Sequence, residues 1–91
     1  MSTSRKVYVA VTAFFSEDGR LHPKRICWED GREYSIDKVL DVRPAAALKA
    51  GGQGERYAIR VNGRQRYLFF ERSTEMSGPN LGRWFVERKI D

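Results

Sequence analysis

Ninety-one residues, 41% hydrophobic and 12% aromatic, are enough for one folded core and too few for two, and the aromatic content excludes a disordered chain. Cys27 is the only cysteine and His22 the only histidine, so an intramolecular disulfide and the usual Cys/His zinc sites are excluded. The formal net charge of +5 comes from 17 basic and 12 acidic residues, 12 of the basic ones being arginine, which points toward an anionic partner.

The chain opens with Arg5 and Lys6 before an apolar stretch over residues 7–15, which superficially copies the start of a secretory signal. That stretch alternates, is rich in β-branched residues, ends in Ser16-Glu17-Asp18-Gly19 and is far too short to span a bilayer. Residues 6–15 are therefore expected to form a strand, and because both of its faces are apolar, a central strand or one covered by a partner. No membrane association follows, and the lone thiol fits a reducing, cytoplasmic setting.

Asp18-Gly19, Asp30-Gly31 and Asn62-Gly63 each lie between alternating runs and mark hairpins. Residues 21–28 make the second expected strand, with Pro23 near its start where a lost N–H does little harm. Residues 32–43 make the third. At Asp30-Gly31 a three-residue turn, with Gly31 as the left-handed bulge residue, pairs Ile26 with Tyr34 and Lys24 with Ile36; it gathers Ile26, Trp28, Tyr34 and Ile36 on one face and is preferred for that reason. Residues 44–50 then read as one or two helical turns with Pro44 at the first position, and 51–54 as a flexible glycine loop. Strands over 56–61 and 64–71 flank Asn62-Gly63, a long loop covers 72–82, and 83–88 is the last strand. Six strands in hairpin order predict an all-β domain, a small antiparallel barrel or a strongly bent sheet, its core drawn from Val7, Val9, Val11, Ile26, Trp28, Tyr34, Ile36, Val39, Val42, Tyr57, Ile59, Tyr67, Phe69 and Trp84.

The candidate site is a set of arginines. If Gly63 is also a bulge residue, Arg60 faces Arg64 and Ala58 faces Arg66, which collects Arg56, Arg60, Arg64 and Arg66 opposite Tyr57, Ile59, Tyr67 and Phe69. A phosphate-binding stripe has that form, with Leu68 and Phe70 as its apolar floor. A tight two-residue turn would instead mix these arginines with the core set. The competing reading is a solvated face neutralised by Glu55, Glu71 and Glu87.

Other chemistry is thinly represented. Gly51-Gly52-Gln53-Gly54 lacks the Gly-Lys-Ser/Thr ending of a phosphate loop. Glu17-Asp18 and Glu29-Asp30 sit at turns, where aspartate bonds the local backbone, and are the wrong place for acid–base catalysis. His22 and Cys27 lie on one strand at opposite parity, about 16 Å apart in an extended chain, so they do not form a nucleophile–base pair. A non-enzymatic domain that needs no cofactor or metal is expected. Phe14, Phe15, Tyr67, Phe69, Trp84 and Phe85 put large rings on both faces of several strands, which suggests a homodimer or a protein partner.

The segments Trp28-Glu29-Asp30-Gly31-Arg32, Asp41-Val42-Arg43-Pro44, Gly51-Gly52-Gln53-Gly54 and Arg83-Trp84-Phe85-Val86-Glu87 together resemble a family of short, functionally uncharacterised bacterial proteins, mostly from Gram-positive species. That resemblance covers nearly the whole chain and implies a bacterial cytoplasmic origin without importing a ligand or a catalytic residue. Strand count and charge also give a general similarity to small barrel nucleic-acid binders such as the OB-fold. Two functions are carried forward: a nucleic-acid or polyanion binding module acting through Arg56, Arg60, Arg64 and Arg66, and a protein-interaction or self-assembly module acting through exposed aromatic strands.

Overall fold

The computed structural model describes residues 3–45, 54–73, 78 and 80–90. Their alternating sequence gives seven strands: β1 (Thr3–Phe15), β2 (Leu21–Cys27), β3 (Glu33–Ser35), β4 (Lys38–Pro44), β5 (Gly54–Val61), β6 (Arg64–Arg72) and β7 (Gly82–Ile90). They form one antiparallel sheet in the order β3-β2-β1-β7-β6-β5-β4, curled into a half-barrel. The all-β expectation holds.

Hairpins account for most of this order, and their turns follow local chemistry. Ser16 and Trp28 each accept a hydrogen bond from the glycine three residues on, Gly19 and Gly31, and donate their own N–H to the carbonyls of Arg20 and Arg32. This is the three-residue turn with a glycine bulge expected at Asp30-Gly31, and it pairs Ile26 with Tyr34. The aspartates brace these turns. Asp30 accepts the Arg32 N–H at 2.9 Å, and Asp18 accepts the Ser16 hydroxyl, a bond that holds the Asp18 carboxyl below its ordinary range.

Asn62-Gly63 folds differently. Asn62 takes φ 51° and Gly63 φ 76°, the two left-handed residues of a tight two-residue turn, and Val61 pairs directly with Arg64. Asparagine tolerates that conformation and so permits the tight turn. Of the two registers left open by the sequence, the tight one forms, and the bulged pairing that would gather the arginine stripe does not: Ile59 faces Arg66, Tyr57 faces Leu68 and Arg56 faces Phe69. The core accordingly gathers Ile26, Tyr57, Ile59, Leu68, Phe70 and Trp84, with Val9, Val11, Trp28, Ile36, Val39 and Val86 packed against it. Leu68 and Phe70 replace the expected Tyr67, which is 46% exposed. Val42 is exposed as well. Phe69 is buried, but on the opposite face, where its ring stacks on that of Phe85 at 4.9 Å.

β1 is central, as its two apolar faces predict. Its first half pairs with β7, from Thr3↔Ile90 to Val9↔Trp84, and its second half with β2, from Ala10↔Cys27 to Phe15↔Leu21. Pro23 sits where this second ladder shifts register, the position at which a strand tolerates a residue without an N–H. The expected third strand is likewise shared between neighbours. It breaks into β3 and β4 at two successive residues: the Ile36 N–H donates to the Lys24 carbonyl on β2, and the Asp37 N–H to the Arg60 carbonyl on β5. The two borders of the sheet are thus consecutive in the chain.

Pro44 is the last residue of β4 rather than the first of a helix, Ala45 donates its N–H to the Gly54 carbonyl, and residues 46–50 of the expected helical turn, with residues 51–53 of the glycine loop, lie outside the described residues. Gly54 opens β5 instead of closing that loop. It packs against the Phe70 carbonyl so closely that a Cβ would collide with the oxygen.

Candidate functional site

The functional lead follows from how β6 and β7 meet. Their ladder runs only from Arg72↔Gly82 through Glu71↔Arg83 and Phe70↔Trp84 to Phe69↔Phe85. Beyond it β6 stays with β5 and β7 stays with β1, so residues 64–68 and 86–90 separate and leave a split in the sheet. Continuing the same register would set Arg66 opposite Arg88. Like charges placed directly across a strand pair oppose zipping, and the ladder stops short of that pair.

A cavity of about 900 Å³ occupies the split. Ile26, Ile59, Val61 and Val86 supply its apolar wall, Trp28 and Tyr34 its aromatic one, and Arg64, Arg66 and Arg88 its cations. Parity explains the convergence: Arg64 and Arg66 share a face with Val61 and Ile59, and Arg88 continues the series Trp84, Val86. All three point to the concave side. The Arg88 guanidinium lies 5.9 Å from the centre of the Trp28 ring, and Glu87 contributes the one carboxylate of the lining. In a two-residue hairpin the flanking pair exchanges both hydrogen bonds. Arg64 and Arg66 therefore direct their peptide groups to β5, whereas those of Gln65 and Tyr67 turn toward the split.

The four arginines expected to form one stripe are divided between the two faces. Arg64 and Arg66 reach the cavity. Arg56 and Arg60 lie on the convex side, Arg56 with its guanidinium 4.7 Å from the Tyr67 ring centre and Arg60 opposite Gln65 and Lys38. Arg88, which sequence reasoning missed, takes a place beside Arg64 and Arg66. The signal was the alternation Trp84-x-Val86-x-Arg88, which continues an inward-facing series to a charged end.

Ion pairing separates these arginines from most others in the chain. Arg20, Arg25, Arg32, Arg43, Arg72 and Arg83 each pair with a carboxylate. Among the described residues no carboxylate pairs with Arg60, Arg64 or Arg66. The zipped end of the same two strands is the reverse case. There Glu71 takes Lys6 at 2.7 Å, the Tyr8 hydroxyl at 3.2 Å and Arg83 at 3.4 Å, and the Lys6 hydrogen bond above all holds its carboxyl below the ordinary glutamate range. Tyr57 is raised by burial, stays protonated and donates to the Leu21 carbonyl at 3.0 Å.

The remaining candidates stay apart. The His22 ring lies against Phe14, and the Cys27 thiol points to the Trp28 carbonyl. No family model, curated protein or solved structure matches this chain.

Proposed function

We propose that this protein is a non-enzymatic module that binds nucleic acid or another polyanion at the split between β6 and β7. The observation that carries the reading is the convergence of Arg64, Arg66 and Arg88 on one concave cavity, the first two without a carboxylate partner among the described residues. Three cations against one carboxylate in the lining raise the local positive potential, and a polymer that carries several phosphates relieves their repulsion at several points together while releasing its own counterions. Arg60 and Lys38, neighbours across β4 and β5, extend the charge around the hairpin end.

The test is fluorescence anisotropy with labelled oligonucleotides from low to physiological salt, for the wild type and two variants. R64A/R66A/R88A is expected to lose most of the affinity and to flatten the log–log salt slope by about 2, at roughly 0.7 per phosphate contact on a single strand. R56A/R60A, which removes the convex pair, is expected to do less. A larger loss in R56A/R60A would return the site to the convex face, and equal losses would remove the assignment to the split.

A second reading, docking of a protein or of a second copy, is favoured by the exposure of Phe14 (56%) and Phe15 (61%) at the end of β1. Association of that kind buries apolar surface and is insensitive to moderate salt, which separates it from the first in the same titration.

A further inference from the structure

Charge alone does not account for this cavity. A polyanion held only through its phosphates is served by a flat or convex basic surface, as the salt-driven component of binding requires no pocket. Here the cations belong to a concavity whose interior is apolar and aromatic, lined by Ile26, Ile59, Val61, Val86, Trp28 and Tyr34. Its volume of about 900 Å³ falls within the ~300–1,000 Å³ typical of sites that enclose a small planar or drug-sized group.

On the polyanion reading above, we infer that the ligand is single-stranded and that an unstacked base enters the split. The base lies against Trp28 and Tyr34, and Arg64, Arg66 and Arg88 hold the phosphates on either side of it. Three considerations favour this ligand over a duplex or a polyanion without bases. An aromatic wall offers stacking to any base, whatever its identity. The peptide groups of Gln65 and Tyr67, turned toward the split, offer donors and acceptors to the edge of a base. Finally, a duplex keeps its bases stacked inside a convex cylinder of phosphates and cannot present one to a concave pocket without flipping it out, at a cost of about a few kcal/mol. The site therefore selects strands whose bases are already free.

The experiment compares three labelled ligands of about eight nucleotides: a single-stranded oligonucleotide of mixed sequence, an abasic strand with the same number of phosphates, and the corresponding duplex. The single strand is expected to bind about tenfold more tightly than either of the others at physiological salt and to quench tryptophan fluorescence. Trp28→Leu keeps an apolar side chain and removes the stacking surface; Tyr34→Ser, at a half-exposed position, is the second variant should the first fail to fold. Both are expected to weaken single-strand binding several-fold more than abasic binding and so to reduce the single-strand preference. Equal affinity for the single and abasic strands would overturn base insertion and leave the polyanion reading standing. Equal or tighter binding of the duplex would overturn the single-strand assignment. Failure of all three ligands to bind at low salt would remove the polyanion reading itself, and this inference with it.

Discussion

The two halves of the β6–β7 contact are built from the same pair of strands and behave in opposite ways. In one half Phe69 stacks on Phe85, Phe70 packs on Trp84 at 4.9 Å, and Glu71 faces Arg83 while also holding Lys6 and Tyr8. In the other half the strands part, and the same register would bring together first Leu68 and Val86, then Tyr67 and Glu87, and then Arg66 and Arg88. Backbone hydrogen bonding is available to both halves, so the difference lies in the side chains. Cross-strand pairs bear on how far a ladder runs, and here the zipped half ends where the cavity begins, with the like-charged Arg66 and Arg88 opposite one another further along the split.

The largest expected effect comes from breaking the zipped half. Phe85 is 1% exposed and joins Phe69, Tyr8 and Lys6 on the convex face, so Phe85→Ala should cost about 3–5 kcal/mol in chemical denaturation. A loss below about 1 kcal/mol would mean that the convex cluster does not hold the strands together.

A smaller effect concerns charge in the same half. Because the Glu71 carboxyl lies below its ordinary range in the fold, its contribution to stability is complete above the unfolded-state value and disappears as pH falls through the folded one. Acid denaturation curves of the wild type and Glu71→Gln should therefore differ at neutral pH and converge in acid, with a neutral difference under about 1 kcal/mol for a pair this close to solvent. Curves that stay parallel to low pH would assign the effect to packing instead.

The smallest effect sharpens the comparison most. Arg88→Glu replaces the repelling pair with an attracting one, and is expected to add about 0.2–0.5 kcal/mol and to slow amide exchange at Gln65 and Tyr67 as the ladder extends. The same variant should bind polyanions more weakly than Arg88→Ala. Unchanged exchange would show that sheet curvature, rather than charge, keeps the split open.

How much of this was legible in the sequence depended on the distance between the residues concerned. The Glu-Asp-Gly turns announce themselves locally, and the register of Ile26 on Tyr34 followed from requiring one apolar face. At Asn62-Gly63 the same reasoning left the register undecided, since Arg56, Arg60, Tyr67 and Phe69 look as orderly in one register as Leu68 and Phe70 do in the other. The left-handed tolerance of asparagine was the deciding signal. Pairing of β1 with β7 joins the two ends of the described chain and left no local trace. Without it the splaying of β7 from β6, and hence the role of Arg88, was out of reach.

The border of the sheet carries one more consequence. Exposed strand edges are templates on which other chains can add, and small sheets are usually guarded by charges, bulges or prolines. In this protein Ile36 and Asp37 commit neighbouring amides to opposite borders, so the stretch that would be the sheet's open edge on one side is anchored to the other. The chain guards itself by continuity. A few glycines inserted between these two residues would leave every ladder intact in principle yet free the borders to recruit copies of themselves, turning a self-limiting fold into one prone to aggregate.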